Sequence, residues 1–599
     1  MLTAVILSIC AFVSMWAVTL TYDLSVRSPL TVLLFAACEL LFFYAQKTDS
    51  KKSKWCAPIF AFFFTSSTVL VKFGNVSAEF ENSLFKLTAF LIMASGWFVF
   101  FFFLLRAIEK VLLSFKESIL FSDSSKLPSW ALFLISFAFC VVSYIPWFLY
   151  SFPGIMDPDS ITQMSQVLGI TPYSNHHPVA HTLLISLFCR IGGLFSSDIN
   201  VRVGFYTFFQ LVFFALCASY VIYTLHRFLK LKTVFCFVIL AFYSLASFID
   251  VHAILICKDT IFAGFCMLFT CELLRLVYEK PLGMFSNKKS ICKKSSKNNS
   301  NAGEVFAVIR FILLGTAFCL FRSNGWYAFI MFSMLFLLIF IKDWKKVLIR
   351  LIPVFALVLI IKGPVMNHFE IRQPDIAESL HVPEQQIAAV IANDRYLSEE
   401  ETALLYDVCD ISYAKEFYVP WFADNIKELV RAGHPEVISE HKFTYLFLWA
   451  KIGLRYPLDY INAWVGLTEN VIFPEGDYDV AIIEGVTDNS LGISQSSIIG
   501  GHALLKLREI LIKFGSFIPL YGFLWSMGSY TWIFLMSLFV ILAQKKDNKR
   551  IVILLPAITV ILTLLLAIPS AKMFRYAFSY AALLPFVFCA FKAIPKETG

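Results

Sequence analysis

The chain has few charged residues for its length. Charged residues make up 15% of its 599 positions, whereas 58% are hydrophobic and 17% are aromatic, and the mean hydropathy is +0.73. Soluble domains average about 25% charged residues, so this composition does not fit a water-soluble protein. Runs such as residues 87–105 are long enough to cross a hydrocarbon layer of roughly 30 Å as helices. The composition is typical of a polytopic membrane protein.

Other absences narrow the class further. Most of the fourteen cysteines lie inside apolar runs, so we expect no disulfide framework. A nucleotide-binding loop and an alternation of strands and helices are both absent, which argues against an enzyme that uses nucleotide sugars. The first apolar segment, residues 2–20, lacks a basic start and a small-residue cleavage motif, and we expect it to be retained as a helix. The net charge of +8 comes from lysine-rich loops, so no nucleic-acid partner is expected.

The lysine-rich loops also predict the orientation of the chain. Such loops lie on the cytoplasmic side of a membrane, and here they are residues 46–55, 106–126, 279–299, 342–346 and 544–550. Four helices near 3–22, 29–45, 55–73 and 83–105 then precede a helix near 130–150 that ends at the outer face. The prediction is about fourteen transmembrane helices with both termini in the cytoplasm.

One apolar segment, residues 179–195, is predicted to lie in the membrane interface and not to cross. It is short, and His181, Arg190 and two glycines interrupt it. If it crossed, the basic segments 226–232 and 279–299 could not both be cytoplasmic.

The predicted fold is an all-α polytopic membrane protein with four regions. These are an N-terminal four-helix membrane region (1–128), a central membrane module that includes an outer loop at 151–202 (129–362), a mostly helical extracytoplasmic insertion (363–515) and C-terminal transmembrane helices (516–599). Within the insertion, Ser398 is placed to cap a helix that begins with glutamates.

Polar side chains gather at the predicted outer ends of the helices. A single lysine or arginine there is more often an interfacial anchor, but carboxylates, cations and histidines that converge on one membrane edge predict a functional site. The candidates for substrate binding are Asp159, Gln163, His176, His177, Lys258, Asp259, Arg322, Asn324, Arg575 and Tyr576.

The order of these motifs resembles that of the GT-C membrane glycosyltransferases. An acidic "DPDS" (157–160) follows a transmembrane helix, "HHP" (176–178) opens a juxtamembrane helix, "CKDTIF" (257–262) enters a later helix and "RY" (575–576) opens the last one. The pattern is similar to the protein O-mannosyltransferases, the aminoarabinose and arabinosyl transferases, and an uncharacterised bacterial branch of the superfamily. The resemblance covers residues 130–280 by motif and 300–592 by architecture, and it implies a GT-C-like module over residues 129–362.

The resemblance implies a reaction at the extracytoplasmic side of the plasma membrane. A sugar would pass from a polyprenyl-phosphate donor to a cell-envelope glycan, lipid or protein, with membrane lipids as the other partners. No "WWDYG" signature is present, so a protein asparagine is not the expected acceptor. Such a transfer needs a carboxylate base and cations around the leaving phosphate. Lys258, Arg322 and Arg575 are expected to surround that phosphate.

Asp157 is the predicted catalytic base. Asp159 precedes "SITQMSQVL" and is expected to cap that helix, which would weaken it as a base. Asp157 follows a Pro-Gly turn and has no such role, so apolar surroundings and the like charge of Asp159 are expected to strengthen it as a base. Gln163 or His177 is expected to orient the sugar.

Three alternatives stay open at this point. His177 and His181 have the spacing of a helical zinc pair, although the glutamate of an H-E-x-x-H motif is missing. Asp157 and Asp159 are a candidate site for Mg²⁺ or Mn²⁺, so no cofactor is assigned with certainty. The alternative function is a lipid-linked sugar flippase or a polysaccharide transporter, but a transporter needs polar residues along a path through the membrane centre.

Overall fold

The computed structural model of the protein describes residues 2–46, 53–122, 127–278, 297–475, 484–518, 521–544 and 548–594. Helices account for 78% of it, and the described residues form isolated bridges but no strand. The predicted all-helical class is therefore confirmed. Parts of the lysine-rich loops that predict the orientation lie outside the described residues, namely 47–52, 123–126, 279–296 and 545–547.

The helices are numbered in chain order. The first fourteen are α1 (Leu2–Thr21), α2 (Pro29–Gln46), α3 (Ser53–Ala78), α4 (Ser83–Ser114), α5 (Ser129–Tyr150), α6 (Pro158–Val167), α7 (Val179–Gly193), α8 (Ile199–Thr224), α9 (Thr233–Leu245), α10 (Ser247–Ile254), α11 (Lys258–Tyr278), α12 (Lys297–Leu320), α13 (Ser323–Ile339) and α14 (Trp344–Ile360). The others are α15 (Met366–His368), α16 (His381–Ala392), α17 (Glu399–Tyr406), α18 (Ala414–Phe417), α19 (Asp424–Ala432), α20 (Glu436–Glu440), α21 (Lys442–Arg455), α22 (Pro457–Ile472), α23 (His502–Phe517), α24 (Met527–Ala543), α25 (Ile551–Ala567) and α26 (Phe578–Ala581).

Ten of the described helices are long and apolar enough to span a membrane, and the protein is a multi-pass membrane protein. They are α1 to α5, α8, α11, α12, α14 and α25. The bounds of several of these spans differ by a few residues from those of the helices. Helices α9 and α10 meet at an angle of 59° and pass the same test only as a pair. The predicted number of about fourteen also counts shorter apolar helices, so it stays a prediction.

The four N-terminal helices form where the sequence predicts them. Helix α4 lies directly against α1, because a Cβ atom on Gly96 would be 2.5 Å from the Cβ of Ala17. The hydroxyl of Ser14 donates to the carbonyl of Gly96 (3.0 Å), and the Trp97 indole donates to the hydroxyl of Thr21 (2.9 Å). Small residues at such a contact let helix backbones approach closely in a membrane.

Helix α11, which carries two of the candidate site residues, is the most enclosed of the possible membrane spans that the structure describes. In α11, 83% of an apolar stretch of eighteen residues is buried, compared with 22–39% of the corresponding stretches in α1 to α5. Helices α25 and α8 follow with 67% and 61%. A helix that is apolar on all sides belongs in the interior of a bundle. The start of α11, with Lys258 and Asp259, is therefore held in place by packing on several sides.

Helix α7 has fifteen residues and is shorter than a membrane-spanning helix needs to be. It packs along α8, and Gly192 lies so close to Arg202 that a Cβ atom there would be 2.9 Å from the Arg202 Cα. The length of α7 is compatible with the predicted interfacial position of residues 179–195, which stays a prediction.

The insertion is helical, as predicted, but it begins later than residue 363. The helix of α14 continues through a π-turn at Ile361–Val365 and reaches His368. The wider turn accommodates Pro364, which cannot donate to the helical ladder. Helix α22 of the insertion docks on α25, where the Trp464 indole donates to the carbonyl of Leu565 (2.8 Å). Part of the insertion is thus packed against the membrane helices.

The predicted cap at Ser398 is confirmed. Its hydroxyl accepts from the N–H of Glu401 (3.3 Å), and the Glu401 carboxylate accepts from the N–H of Ser398 (2.9 Å). We expect Ser398→Ala to lower the stability of α17 by about 1 kcal/mol. Thr402→Ala, in the same helix but away from its cap, is expected to cost less than about 0.5 kcal/mol. Hydrogen exchange of residues 399–406 measures both, and equal exchange in the two variants would contradict the capping role.

The end of the chain differs from the predicted last helix. Residues 574–591 form three short helical pieces, namely Phe574–Tyr576, α26 and Leu584–Phe591. Pro585 lies at the start of the last piece, and proline cannot continue the hydrogen-bond ladder of a preceding helix. The "RY" pair therefore sits on a short helical turn.

Candidate ion cluster at the ends of α6 and α11

The chain before Asp157 is fixed by backbone hydrogen bonds on both sides. The N–H of Ile155 donates to the carbonyl of Ile254 (3.1 Å), and the N–H of Met156 donates to the carbonyl of Gly485 (3.0 Å). The first bond ties this segment to the end of α10 and the second ties it to a loop of the insertion. The start of α6 is thereby held beside the start of α11.

The Pro-Gly turn before this segment requires glycine. Gly154 has a φ of +144°, a conformation that residues with a side chain rarely adopt. A Cβ atom there would also be 2.6 Å from the hydroxyl oxygen of Thr207. The close packing on α8 sets where the following aspartates lie.

Five side chains meet at this place and form what we call the ion cluster: Asp157, Asp159, His177, Lys258 and Arg575. Arg575 Nη1 donates to Asp157 Oδ2 (2.9 Å) and to Asp159 Oδ2 (3.0 Å). Lys258 Nζ donates to the same Asp159 oxygen (3.0 Å) and to His177 Nδ1 (3.0 Å). Two cations therefore converge on one carboxylate oxygen. Asp159 is also the most exposed of the four charged members, with 27% of its side chain accessible.

Electrostatics in the ion cluster depend on burial and on the two cations. Burial alone would raise the pKa of Asp159, but Lys258 and Arg575 outweigh it and hold that pKa well below its usual range. Burial, and then the charge of Lys258, lower the pKa of His177 to about 3. His177 is therefore neutral at physiological pH and accepts the hydrogen bond of Lys258.

The capping argument for the base is wrong. Helix α6 begins at Pro158, so Asp157 and not Asp159 is the N-cap. Asp157 Oδ1 accepts from the N–H of Ser160 (2.9 Å) and from its hydroxyl (2.7 Å). Proline favours the first position of a helix, which places the cap one residue earlier, at Asp157. Asp159 lies in the first helical turn, and its carboxylate is held by the two cations instead.

Arg322 does not share an anion site with the other two cations. Its Nη1 lies 2.6 Å from Asp259 Oδ1, and this ion pair is almost fully buried, with 5% and 0% of the side chains accessible. The guanidinium groups of Arg322 and Arg575 lie 5.5 Å and 5.2 Å from the centre of the Tyr576 ring. The expectation that all three cations surround one anionic group is therefore not met, because Arg322 pairs with Asp259 whereas Lys258 and Arg575 share Asp159.

A family of unknown function, DUF6020, matches residues 169–598, which is most of the chain. The chain belongs to this family. No curated protein and no solved structure matches it. The matched range includes His177, Lys258 and Arg575 but begins after the two aspartates of the ion cluster.

Gln163 of this DUF6020 protein forms hydrogen bonds to side chains of α7. Its amide donates to the hydroxyl of Thr182 (2.8 Å), and its carbonyl oxygen is 2.9 Å from His181 Nδ1. His181 Nε2 in turn lies 2.6 Å from the hydroxyl of Tyr206. These buried bonds join α6, α7 and α8, so Gln163 has a structural position and the predicted role in orienting a sugar loses its geometric support.

The predicted zinc pair does not form. His181 is committed to Gln163 and Tyr206, and His177 accepts from Lys258, so the two rings do not share a site. Among the described residues, no group of three or more histidines, cysteines, aspartates or glutamates is arranged to hold a metal ion. Between Asp157 and Asp159 the bridging cation is the guanidinium of Arg575. The residues present therefore do not fit a Mg²⁺ or Mn²⁺ site shared by the two aspartates.

The remaining predicted residues lie around the ion cluster. Asn324 is in the first turn of α13, next to the Arg322–Asp259 pair in the chain. His176 contacts the insertion, with its Nδ1 at 3.6 Å from Glu378 Oε1, and its ring packs edge-on against His177 at 4.5 Å. His176 thus contacts a member of the ion cluster, whereas Asn324 is a chain neighbour of Arg322.

The structure adds charged residues of the insertion to this region. Glu378 also pairs with Lys427 (3.2 Å) and Arg431, and these cations, with His176, outweigh burial and lower the pKa of Glu378 to about 2. The insertion thereby reaches the loop that carries His177. The only local signal was the three-residue spacing of Asp424 and Lys427 on α19, which says nothing about contact with residue 176.

Proposed function

We propose that this chain is a GT-C-type membrane glycosyltransferase, which transfers a sugar from a polyprenyl-phosphate donor to a cell-envelope acceptor. The observation that carries the proposal is the ion cluster: two cations converge on one oxygen of a partly exposed carboxylate, at the ends of helices in a multi-pass membrane protein. Partly buried ionisable groups of this kind cluster at functional sites.

Lys258 and Arg575 are the groups that bind the donor phosphate in this proposal. The shared oxygen of Asp159 occupies the place that a phosphate oxygen takes when the donor binds. Guanidinium and ammonium groups form short, strong hydrogen bonds to phosphate. Because both cations are already held in position by packing, they stabilise the charge that develops on the leaving phosphate.

Asp159 is the better candidate for the base. Its carboxylate is a weak base only while Lys258 and Arg575 bind it. When a phosphate takes over these cations, the proton affinity of Asp159 rises, so donor binding activates the base. Asp159 then accepts the proton of the acceptor hydroxyl as the acceptor oxygen bonds to the sugar. The bond between the sugar and the phosphate oxygen breaks, and polyprenyl phosphate leaves with its electron pair.

His177 acts as a positioning residue for Lys258. Its neutral ring accepts a hydrogen bond from Lys258 Nζ, which holds the ammonium group next to Arg575. His176 and Tyr576 contact members of the ion cluster, and their predicted role in binding the sugar or the acceptor, with that of Asn324, stays a prediction. Asp157 holds the N-terminus of α6 and orients Arg575.

The proposal places the ion cluster on the extracytoplasmic side, with about fourteen spans and both termini in the cytoplasm. Cysteines introduced at two exposed sites test this arrangement, in a background from which the partly exposed Cys10, Cys56 and Cys409 and also Cys292, which lies outside the described residues, have been removed. Residue 197 follows α7 in the chain. A cysteine at this position (Ser197→Cys) is expected to react with a membrane-impermeant maleimide on intact cells. Lys345→Cys is expected to react only after permeabilisation. The opposite pattern would invert the topology.

The function is tested by mass spectrometry of the cell envelope. Cells that lack the gene are expected to lose one sugar from an envelope glycan, lipid or protein and to accumulate the matching polyprenyl-phosphate sugar. The wild-type gene should restore both, and a gene for the Asp159→Asn variant should restore neither. Unchanged glycans together with unchanged lipid-linked sugars in the cells without the gene would rule out the proposed reaction.

A further inference from the structure

A cavity of about 530 Å³ lies inside the insertion, between α16, α17, α19 and α21. Its lining is made mainly of aliphatic and aromatic side chains, such as Ile387, Leu405 and Trp449. Pockets of roughly 300–1,000 Å³ hold small-molecule ligands, and apolar cavities take up apolar molecules. The volume and the lining suit a hydrocarbon chain.

One polar side chain breaks the apolar lining. Glu384, in the first turn of α16, lines the cavity and is nine-tenths buried, and its two carboxyl oxygens have no hydrogen-bond partner among the described residues. A buried polar group without a partner destabilises the folded protein. A ligand headgroup that bonds to Glu384 would remove that destabilisation.

The protonation state of Glu384 limits the chemistry of that headgroup. Burial raises the pKa of Glu384 to about 8, although the charge of Lys427 opposes the shift. At neutral pH the carboxyl group is therefore protonated, and it can donate one hydrogen bond and accept others. An anionic headgroup would lose its hydration without gaining a counter-charge here. A hydroxyl group is a suitable partner.

The mouth of the cavity lies beside an exposed apolar surface on α21. Lys442 and Leu446 line the cavity and are also exposed. Next to them, Phe443 and Phe447 are 87% and 72% exposed, and Leu454 on the same helix is 85% exposed. Apolar residues at helical spacing on an exposed face are typical of a helix that lies in a membrane interface. A chain that leaves the lipid at this face meets the opening directly.

We propose that this cavity binds a single hydrocarbon chain of a membrane lipid that carries a free hydroxyl headgroup, with the hydroxyl bonded to Glu384. The site is separate from the ion cluster and does not depend on the proposed sugar transfer. Ionisation of Glu384 is expected to expel the ligand. The ionisable groups that face it from the surrounding elements are Lys427, Arg431, Asp375, Glu378, Cys409, Lys442 and Tyr445.

Photo-labelling of the full chain in phospholipid nanodiscs tests the inference. The probe is a dodecanol analogue with a diazirine at the far end of its chain, and labelled peptides are mapped by mass spectrometry. We expect adducts on α16, α17 and α21 that excess dodecanol removes, and about tenfold fewer adducts with the corresponding dodecanoic acid probe. Equal labelling by the alcohol and the acid, or adducts confined to the outer face of α21, would overturn the proposal.

Two variants and a matched control sharpen the test. Ala388 lines the cavity, so Ala388→Trp fills it and is expected to lower the adduct yield about tenfold. Leu454→Trp adds the same side chain on the exposed face and should leave the yield unchanged. In the wild type the yield should fall as pH rises from about 7 to about 10, because Glu384 ionises in this range. Glu384→Gln stays neutral, so its yield should not depend on pH; a parallel fall would contradict the role of Glu384.

Discussion

Asp159→Asn is expected to lower sugar transfer by about 10²–10⁴-fold, the range that a general base contributes. Asparagine has nearly the shape of aspartate, and it still accepts hydrogen bonds from Lys258 and Arg575, so the protein should fold and bind the donor. It cannot take the proton of the acceptor hydroxyl. The measurement is the transfer rate of the purified protein at saturating donor, together with donor binding at equilibrium.

Asp157→Asn is the matched control for this experiment. Asparagine caps helices as well as aspartate does, so the bonds from Ser160 are kept, and the main loss is one charged bond to Arg575. We expect a small loss of stability and a transfer rate within about tenfold of the wild type. If Asp157→Asn loses transfer activity and Asp159→Asn keeps it, Asp157 is the base.

Arg322→Met is expected to destabilise the protein by about 3–5 kcal/mol. It removes the ion-pair partner of the buried Asp259 carboxylate, which keeps a hydrogen bond from the Cys257 thiol but no directly paired cation. Methionine is similar in length and stays packed between Phe262 and Tyr576, both of which the guanidinium faces. Thermal or denaturant unfolding of the purified protein in detergent measures the loss.

The double variant Arg322→Met, Asp259→Leu tests the physical cause. Replacing both partners of a buried pair by apolar residues of similar size is often close to neutral. We therefore expect it to recover most of the stability that the single variant loses. If the two substitutions together are as destabilising as the sum of the single effects, Arg322 acts through packing or through another partner, and the ion pair is not the cause.

The helices could be predicted from the sequence because their signals are local. An apolar run of sufficient length forms a helix in a membrane wherever it stands in the chain, and α1 to α5 begin and end within a few residues of the predicted positions, except at the C-termini of α3 and α4. The cap at Ser398 was equally predictable, since a capping box involves only four consecutive residues. The π-turn at Pro364 was not, because proline usually ends a helix.

The five residues of the ion cluster were all among the predicted site residues, but the ion pairs between them were not predicted. The sequence indicates that Lys258, Arg575 and the two aspartates lie at helix ends, but not that both cations choose the same oxygen of Asp159. The pairing of Arg322 with Asp259 depends on how α11 and α13 pack, which no local pattern contains. The cap assignment failed for a local reason, because Pro158 takes the first helical position and the helix therefore starts two residues earlier than predicted.

The central claim, that the ion cluster transfers a sugar from polyprenyl phosphate, is tested most directly with the purified protein in proteoliposomes. The donor is the lipid-linked sugar fraction of cells without the gene, and the acceptor is their envelope fraction. Mass spectrometry then follows the release of free polyprenyl phosphate. The account predicts release in step with the glycosylated acceptor for the wild type and none above background for Asp159→Asn. Wild-type protein that leaves the lipid-linked sugar intact would contradict it.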